Sequence, residues 1–217
     1  MKKSFHALLL LSFLSLSACV DFATSQSIAK NQQHVFTTPA QVFVMRGGLG
    51  GIFSKGMNRL QSTLERKYNI KTESTIWYKQ YALSDYIIKN YGTKRLPGPI
   101  ILAGHSLGAN DQIKVADALN KAHIPVALLI TVDAVSPRKV PPNVKHALNI
   151  YKPSHVPIFR GLPITAIDPT KTKVENINVN EVPNCSVNHF DIDKHTFTQT
   201  LIIKHILAVI RHDSKIH

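Results

Sequence analysis

Residues 104–108 read Gly-His-Ser-Leu-Gly and constrain this chain more than any other stretch of it. Before them runs Pro99-Ile100-Ile101-Leu102-Ala103, bounded by Pro97-Gly98. It is short, apolar and β-branched, as a strand buried on both faces must be. After them Val115, Ala118, Leu119 and Ala122 recur at helical spacing. A G-x-S-x-G at such a junction is a sharp strand-to-helix turn. It lifts the Ser106 hydroxyl above the end of the sheet, and its two glycines let strand and helix pass closely. The alternative, a glycine-rich turn with a solvated serine, does not require these flanks.

The rest of the chain repeats the alternation. Gln41 to Met45 is an apolar strand followed by Arg46-Gly47-Gly48-Leu49-Gly50-Gly51. Met57, Leu60, Leu64 and Tyr68 mark one helical face. Ile70 to Tyr78 reads as a second strand, and Leu83 to Tyr91 as a helix stopped by Gly92. Beyond the serine turn, Pro125 to Val132 is a buried strand ending at Asp133, and Val144 to Tyr151 is a weaker one. Residues 152–172 hold four prolines and no period, as an irregular excursion over the sheet would. Val174 to Val179 alternates as a short strand, and Phe197, Leu201, Ile202, His205, Ile206 and Val209 close with an amphipathic helix. Strands alternating with helices imply right-handed crossovers and a mostly parallel sheet of about six strands flanked by helices.

The N-terminal end reads differently. Lys2 and Lys3 precede an apolar run from Ala7 to Leu16, too brief to span a bilayer as a helix. Leu16-Ser17-Ala18-Cys19 then resembles the lipobox of bacterial lipoproteins, which implies a signal peptide over 1–18 and diacylation of Cys19; an ordinary secretory signal is the plainer alternative. Several acyl chains anchor stably where one does not. Asp21 is not adjacent to Cys19, so the resemblance implies outer-membrane delivery facing the periplasm, or secretion. Residues 19–39 read as a polar tether and 40–217 as a single domain. The formal charge of +13 is scattered, without arginine-rich or aromatic-interleaved runs, which argues against nucleic-acid binding. Past Cys19 only Cys185 remains, so no internal disulfide forms; Cys185 reads as an inert thiol.

Serine alone is a weak nucleophile; it needs an imidazole to take its proton and a carboxylate to hold that imidazole. Groups outside the carboxyl ends of strands are the ones that meet a ligand. Asp133 and His189 both follow strands and are the favoured acid and base. Asp168, in Ala166-Ile167-Asp168-Pro169, is the rival acid or a turn former, and His195 the rival base. His123, His146, His155, His205 and His212 read as surface or satisfied histidines. In His189-x-Asp191-x-Asp193-x-His195, a strand would align four metal ligands, but a helix start is expected there, with Asp191 or Asp193 as its N-cap; no metal is assigned.

Together, Arg46-Gly47-Gly48, Gly104 to Asn110, Thr131-Val132-Asp133 and Asn188 to Asp193 resemble an α/β-hydrolase of the lipase, esterase or thioesterase kind. The resemblance spans roughly residues 40–212 and implies a trimmed fold with no cap domain and no cofactor. It implies cleavage of a small-molecule or lipid ester, or a thioester, through Ser106, His189 and Asp133 with an acyl-enzyme. The oxyanion donors would be the backbone N–H groups of Leu107 and Gly48, although Arg46 stands where the family often has histidine. Two alternatives remain: a lipid-anchored, non-catalytic interaction protein on a hydrolase scaffold, and an acyltransferase using the same three residues.

Overall fold

The computed structural model describes residues 41–48, 51 and 53–213. The leader, Cys19 and the tether lie outside the described residues. In chain order the elements are β1 (Gln41–Arg46), α1 (Lys55–Tyr68), β2 (Thr72–Ile76), α2 (Gln80–Asn90), β3 (Ile100–His105), α3 (Leu107–Lys121), β4 (Val126–Val132), β5 (Val144–Tyr151), β6 (Lys173–Asn178) and α4 (Thr196–Asp213). The six strands form one sheet in the order β2-β1-β3-β4-β5-β6, and every pairing is parallel.

Parallel strands covered on both faces read as continuous apolar runs, and β3 and β4 do. Alternation along the pleat then divides their side chains between two cores. Val42 and Val44 join Met57, Leu60 and Leu64 of α1 and Ile202 and Ile206 of α4 on one face. Phe43 and Met45 join Leu83 and Ile87 of α2 and Ile113, Ala116 and Leu119 of α3 on the other. The expected strand over 70–78 is shorter: it ends at Ile76, and Trp77–Lys79 turns as a 3₁₀ helix directly into α2. The last strand is shifted by one residue from the expected 174–179, and Val179 opens a short 3₁₀ turn.

The chain reverses its direction of travel across the sheet at β1. From β1 it moves outward to β2, then returns past β1 to β3 and proceeds through β6. Loops leaving β1 and β3 therefore diverge to opposite faces and open a crevice at the carboxyl edge, where ligands of open α/β sheets bind. The Gly47-Gly48 loop follows β1 and Ser106 follows β3. The excursion over 152–172 starts at this edge and crosses to the opposite one, where Ala166 pairs with Val140 ahead of β5. Asn149 on β5 donates to the Leu162 carbonyl (2.9 Å), and Asn176 on β6 exchanges two bonds with the backbone of Ile164 (2.9 and 3.0 Å).

Candidate active site

Ser106 sits between β3 and α3 with φ 58° and ψ −124°, a conformation that costs a non-glycine residue of the order of 1–3 kcal/mol. The packing around it enforces that geometry. A Cβ on Gly104 would lie 2.5–2.7 Å from the backbone of Gly108 and Ala109, and one on Gly108 would meet the carbonyl oxygens of Met45 and Arg46. The Ser106 N–H is fixed to the Val132 carbonyl at 2.9 Å. Both glycines of the pentapeptide are thus demanded by backbone-to-backbone approach, and the serine side chain is left to point into the crevice.

The imidazole of His189 lies between Ser106 and Asp133. Its Nε2 is 2.9 Å from Ser106 Oγ and its Nδ1 is 2.6 Å from Asp133 Oδ2. Asp133 is fully buried, and its second oxygen, Oδ1, accepts the Lys152 N–H at 2.7 Å. An ionised carboxylate can only accept, so His189 Nδ1 carries the proton and Nε2 presents its lone pair to the serine hydroxyl. Asp133 itself has φ 51°, and its N–H is held by the Ile150 carbonyl at 2.8 Å. Gly161 passes so close that a Cβ there would overlap Asp133 Oδ1.

The rivals are placed elsewhere. Asp168 is a turn former: its Oδ1 accepts from the hydroxyl and the N–H of Thr170 at 2.6 and 3.0 Å, and these bonds, with Lys171 nearby, hold its carboxyl below the ordinary range. His195 directs Nδ1 toward Cys185 Sγ at 3.7 Å. The four residues of the suspected metal run diverge. His189 joins Ser106, Asp191 accepts from the backbone and side chain of Asn188, and His195 faces Cys185.

Asp193 departs from the sequence expectation. Instead of capping the helix that follows it, its Oδ2 accepts the Gly56 N–H at 2.7 Å and caps α1. The reason is that Ser54, at the N-cap position of α1, makes no cap bond with its side chain. Its hydroxyl is used in a second network: it accepts the Gly47 N–H at 2.9 Å and lies 2.8 Å from His105 Nδ1. His105 Nε2 lies 2.9 Å from the His189 carbonyl oxygen, so that nitrogen must donate and Nδ1 must accept. Burial first, and then the nearby His189, push the His105 pKa down to about 3, which keeps this relay neutral. The loop after β1 is thereby tied through Ser54 and His105 to the backbone of the imidazole-bearing residue. Sequence reasoning placed neither His105 nor Ser54 in this relay; the one local signal, a serine before a helical run, reads as an ordinary N-cap.

Gly48 and Leu107 both line the cavity beside Ser106, and Gly48 approaches the Leu107 side chain closely enough that a Cβ would sit 3.2 Å from Cδ1. Leu107 is the first residue of α3, where N–H groups have no intrahelical acceptor and the helix end is electropositive. The cavity measures about 440 Å³. Phe53, Trp77, Leu107, Val135, Ile158, Phe159 and Phe190 form its walls, with Ser106, His105 and His189 at one side. Phe190 packs on Phe53 and Phe159 with centroids 5.0 and 4.8 Å apart. Ile158 and Phe159 come from the 152–172 excursion, which thus covers part of the cavity. An apolar chamber of this size suits a small ligand with an apolar body.

No protein-family model matches the chain, and no curated protein does. Among solved structures it is similar to the NocB thioesterase domain of the nocardicin cluster, at 12% identity over 78% of this chain and 93% of that one, with a TM-score of 0.47. It is also similar to the RedJ thioesterase of the prodiginine pathway in Streptomyces coelicolor, at 11% identity over 77% and 89% (TM-score 0.45), and to a metagenomic carboxyl esterase, at 12% over 82% and 77% (TM-score 0.43). At such identities these likenesses assign neither family nor substrate. By its own strand order, with the serine turn after β3 and the buried acid after β4, the chain has an α/β-hydrolase fold.

Proposed function

We propose that this chain is a serine hydrolase of carboxylic esters or thioesters. The observation that supports it is the continuous Ser106–His189–Asp133 hydrogen-bond chain at the wall of an apolar cavity. As His189 Nε2 takes the hydroxyl proton, Ser106 Oγ attacks the carbonyl carbon. The tetrahedral oxyanion is received by the N–H groups of Leu107 and Gly48, and the imidazolium is stabilised by Asp133. His189 then protonates the leaving alcohol or thiol, and a water activated by the same nitrogen releases the acid. Strain at Ser106 favours catalysis over a non-catalytic scaffold, because an interaction surface gains nothing from it. Transfer to an alcohol or amine acceptor would use the same residues and is told apart by its product.

The aromatic cavity fits the apolar acyl portion of the substrate. The test follows hydrolysis of p-nitrophenyl esters from acetate to palmitate by wild type, Ser106→Ala and His189→Ala, with fluorophosphonate labelling of Ser106. Turnover lost in both variants supports the reading, and folded wild type with neither turnover nor label overturns it. We further propose, from the lipobox-like sequence, that Cys19 is lipidated and holds the enzyme in a bacterial envelope membrane. Incorporation of a palmitate analogue that is lost in Cys19→Ala supports this; equal labelling of the variant refutes it.

A further inference from the structure

His146 on β5, Glu175 on β6 and His205 on α4 converge on the face of the sheet away from α2 and α3. One donor atom from each lies within 4.8 Å of the other two. Glu175 Oε2 is 3.6 Å from His146 Nε2 and 3.5 Å from His205 Nε2. These separations are too long for charge-assisted hydrogen bonds, which run about 2.7–2.9 Å. They are close to the edge of a ligand tetrahedron, about 3.3 Å when donors sit about 2.0–2.1 Å from a zinc ion. The hydrogen bonds point the same way. His205 Nδ1 donates to the Leu201 carbonyl at 2.9 Å, so a neutral His205 turns the lone pair of Nε2 toward the Glu175 carboxylate. His146 Nε2 is buried and has no hydrogen-bond partner. With His205 Nε2 and the Glu175 carboxylate as acceptors, His146 in its Nδ1–H tautomer adds a third, and a cation between them satisfies all three.

We propose that His146, Glu175 and His205 bind one divalent transition-metal ion, zinc by the two-nitrogen, one-oxygen donor set, with water in the fourth position. The side chain of Glu175 is 35% exposed and leaves an entry from solvent. The site is structural. His146 lies six residues before Lys152, about 20 Å along an extended strand from the end that holds Asp133. The ion clasps α4, which follows the His189 segment, to the β5–β6 edge of the sheet. Nothing in this proposal depends on the hydrolytic reading.

The experiment uses the full-length chain, stripped with a chelator and titrated with zinc in competition with a chromogenic chelator, with thermal unfolding read in parallel. One zinc bound per chain at micromolar affinity or tighter, with a rise of several degrees in Tm, is expected. His146→Gln and His205→Gln should each weaken binding at least 100-fold, while His189→Gln keeps it. Cobalt(II) loaded on the wild type should give the visible absorption of a tetrahedral centre with nitrogen and oxygen donors, a readout that needs no variant to fold. Binding only in the millimolar range, binding lost in His189→Gln, or binding unchanged in both cluster variants would overturn the proposal.

Discussion

Replacing Asp133 with asparagine tests the proposed chemistry with almost no change in shape. In the native protein Oδ1 accepts the Lys152 N–H at 2.7 Å and Oδ2 accepts from His189 Nδ1 at 2.6 Å. The backbone N–H of Lys152 cannot become an acceptor, so the amide oxygen of the substituted side chain must take that side. Its NH₂ group then faces His189 Nδ1, which has to accept, and the ring proton moves to Nε2. The base now points an N–H at Ser106 and cannot remove its proton. Flipping the amide instead sets two donors against each other in a fully buried place, at about 1–3 kcal/mol for the group left unsatisfied. In Ser-His-Asp enzymes the wrong tautomer lowers kcat by about 10⁴-fold, which corresponds to about 5.5 kcal/mol of barrier. The assay compares kcat on a p-nitrophenyl ester for wild type, Asp133→Asn and Asp168→Asn, with circular dichroism confirming the fold. Asp133→Asn should fall by three to four orders of magnitude and Asp168→Asn should stay near wild type. An Asp133→Asn protein within tenfold of wild type would refute the assignment of acid, tautomer and base together.

Ser54→Ala removes the acceptor of the Gly47 N–H and the donor to His105 Nδ1, so stability should drop by about 2 kcal/mol in urea unfolding. Its kcat should fall about tenfold with KM little changed, because the loop that presents the proposed oxyanion donor loosens; unchanged kcat would detach this relay from catalysis. Gly161→Ala drives a methyl group into Asp133 Oδ1, so activity should fall at least 100-fold while far-ultraviolet circular dichroism is preserved, and full activity would contradict that packing. Two buried groups tilt stability in opposite directions with pH. His105 is lowered from 6.5 to about 3, so below pH 6.5 the unfolded chain binds a proton that the native state refuses, and stability falls on acidification. Asp193 is raised from 3.8 to about 6, chiefly by burial, so over that range the native state holds a proton the unfolded chain has lost, and stability falls as pH rises. Asp193→Asn should therefore steepen the acid loss between about pH 4 and 6 in denaturant midpoints; a profile parallel to wild type would sink the account.

Much of the fold was legible because its signals are local. The apolar runs of β3 and β4, the helical spacing of Met57, Leu60 and Leu64, and the glycines of 104–108 each report a backbone conformation through side-chain size or periodicity. Position after a strand was enough to nominate Ser106, Asp133 and His189, since strand ends define the edge where loops meet a ligand. Asp168 could be nominated on the same ground, and no local pattern separates an acid held by a distant imidazole from one that closes its own turn on Thr170. β2 shows the same limit: Thr-Glu-Ser-Thr-Ile has a polar composition, yet all five residues are buried by the layers around them. Contacts across 51, 84 and 137 positions decided the remainder: Ser54 with His105, His105 with His189, and Gly56 with Asp193. A hydroxyl that could cap its own helix serves a histidine from another strand, and a carboxylate from near the C-terminal helix supplies the missing cap. Such choices follow from which polar groups are buried together and must satisfy one another, and only the folded chain determines that.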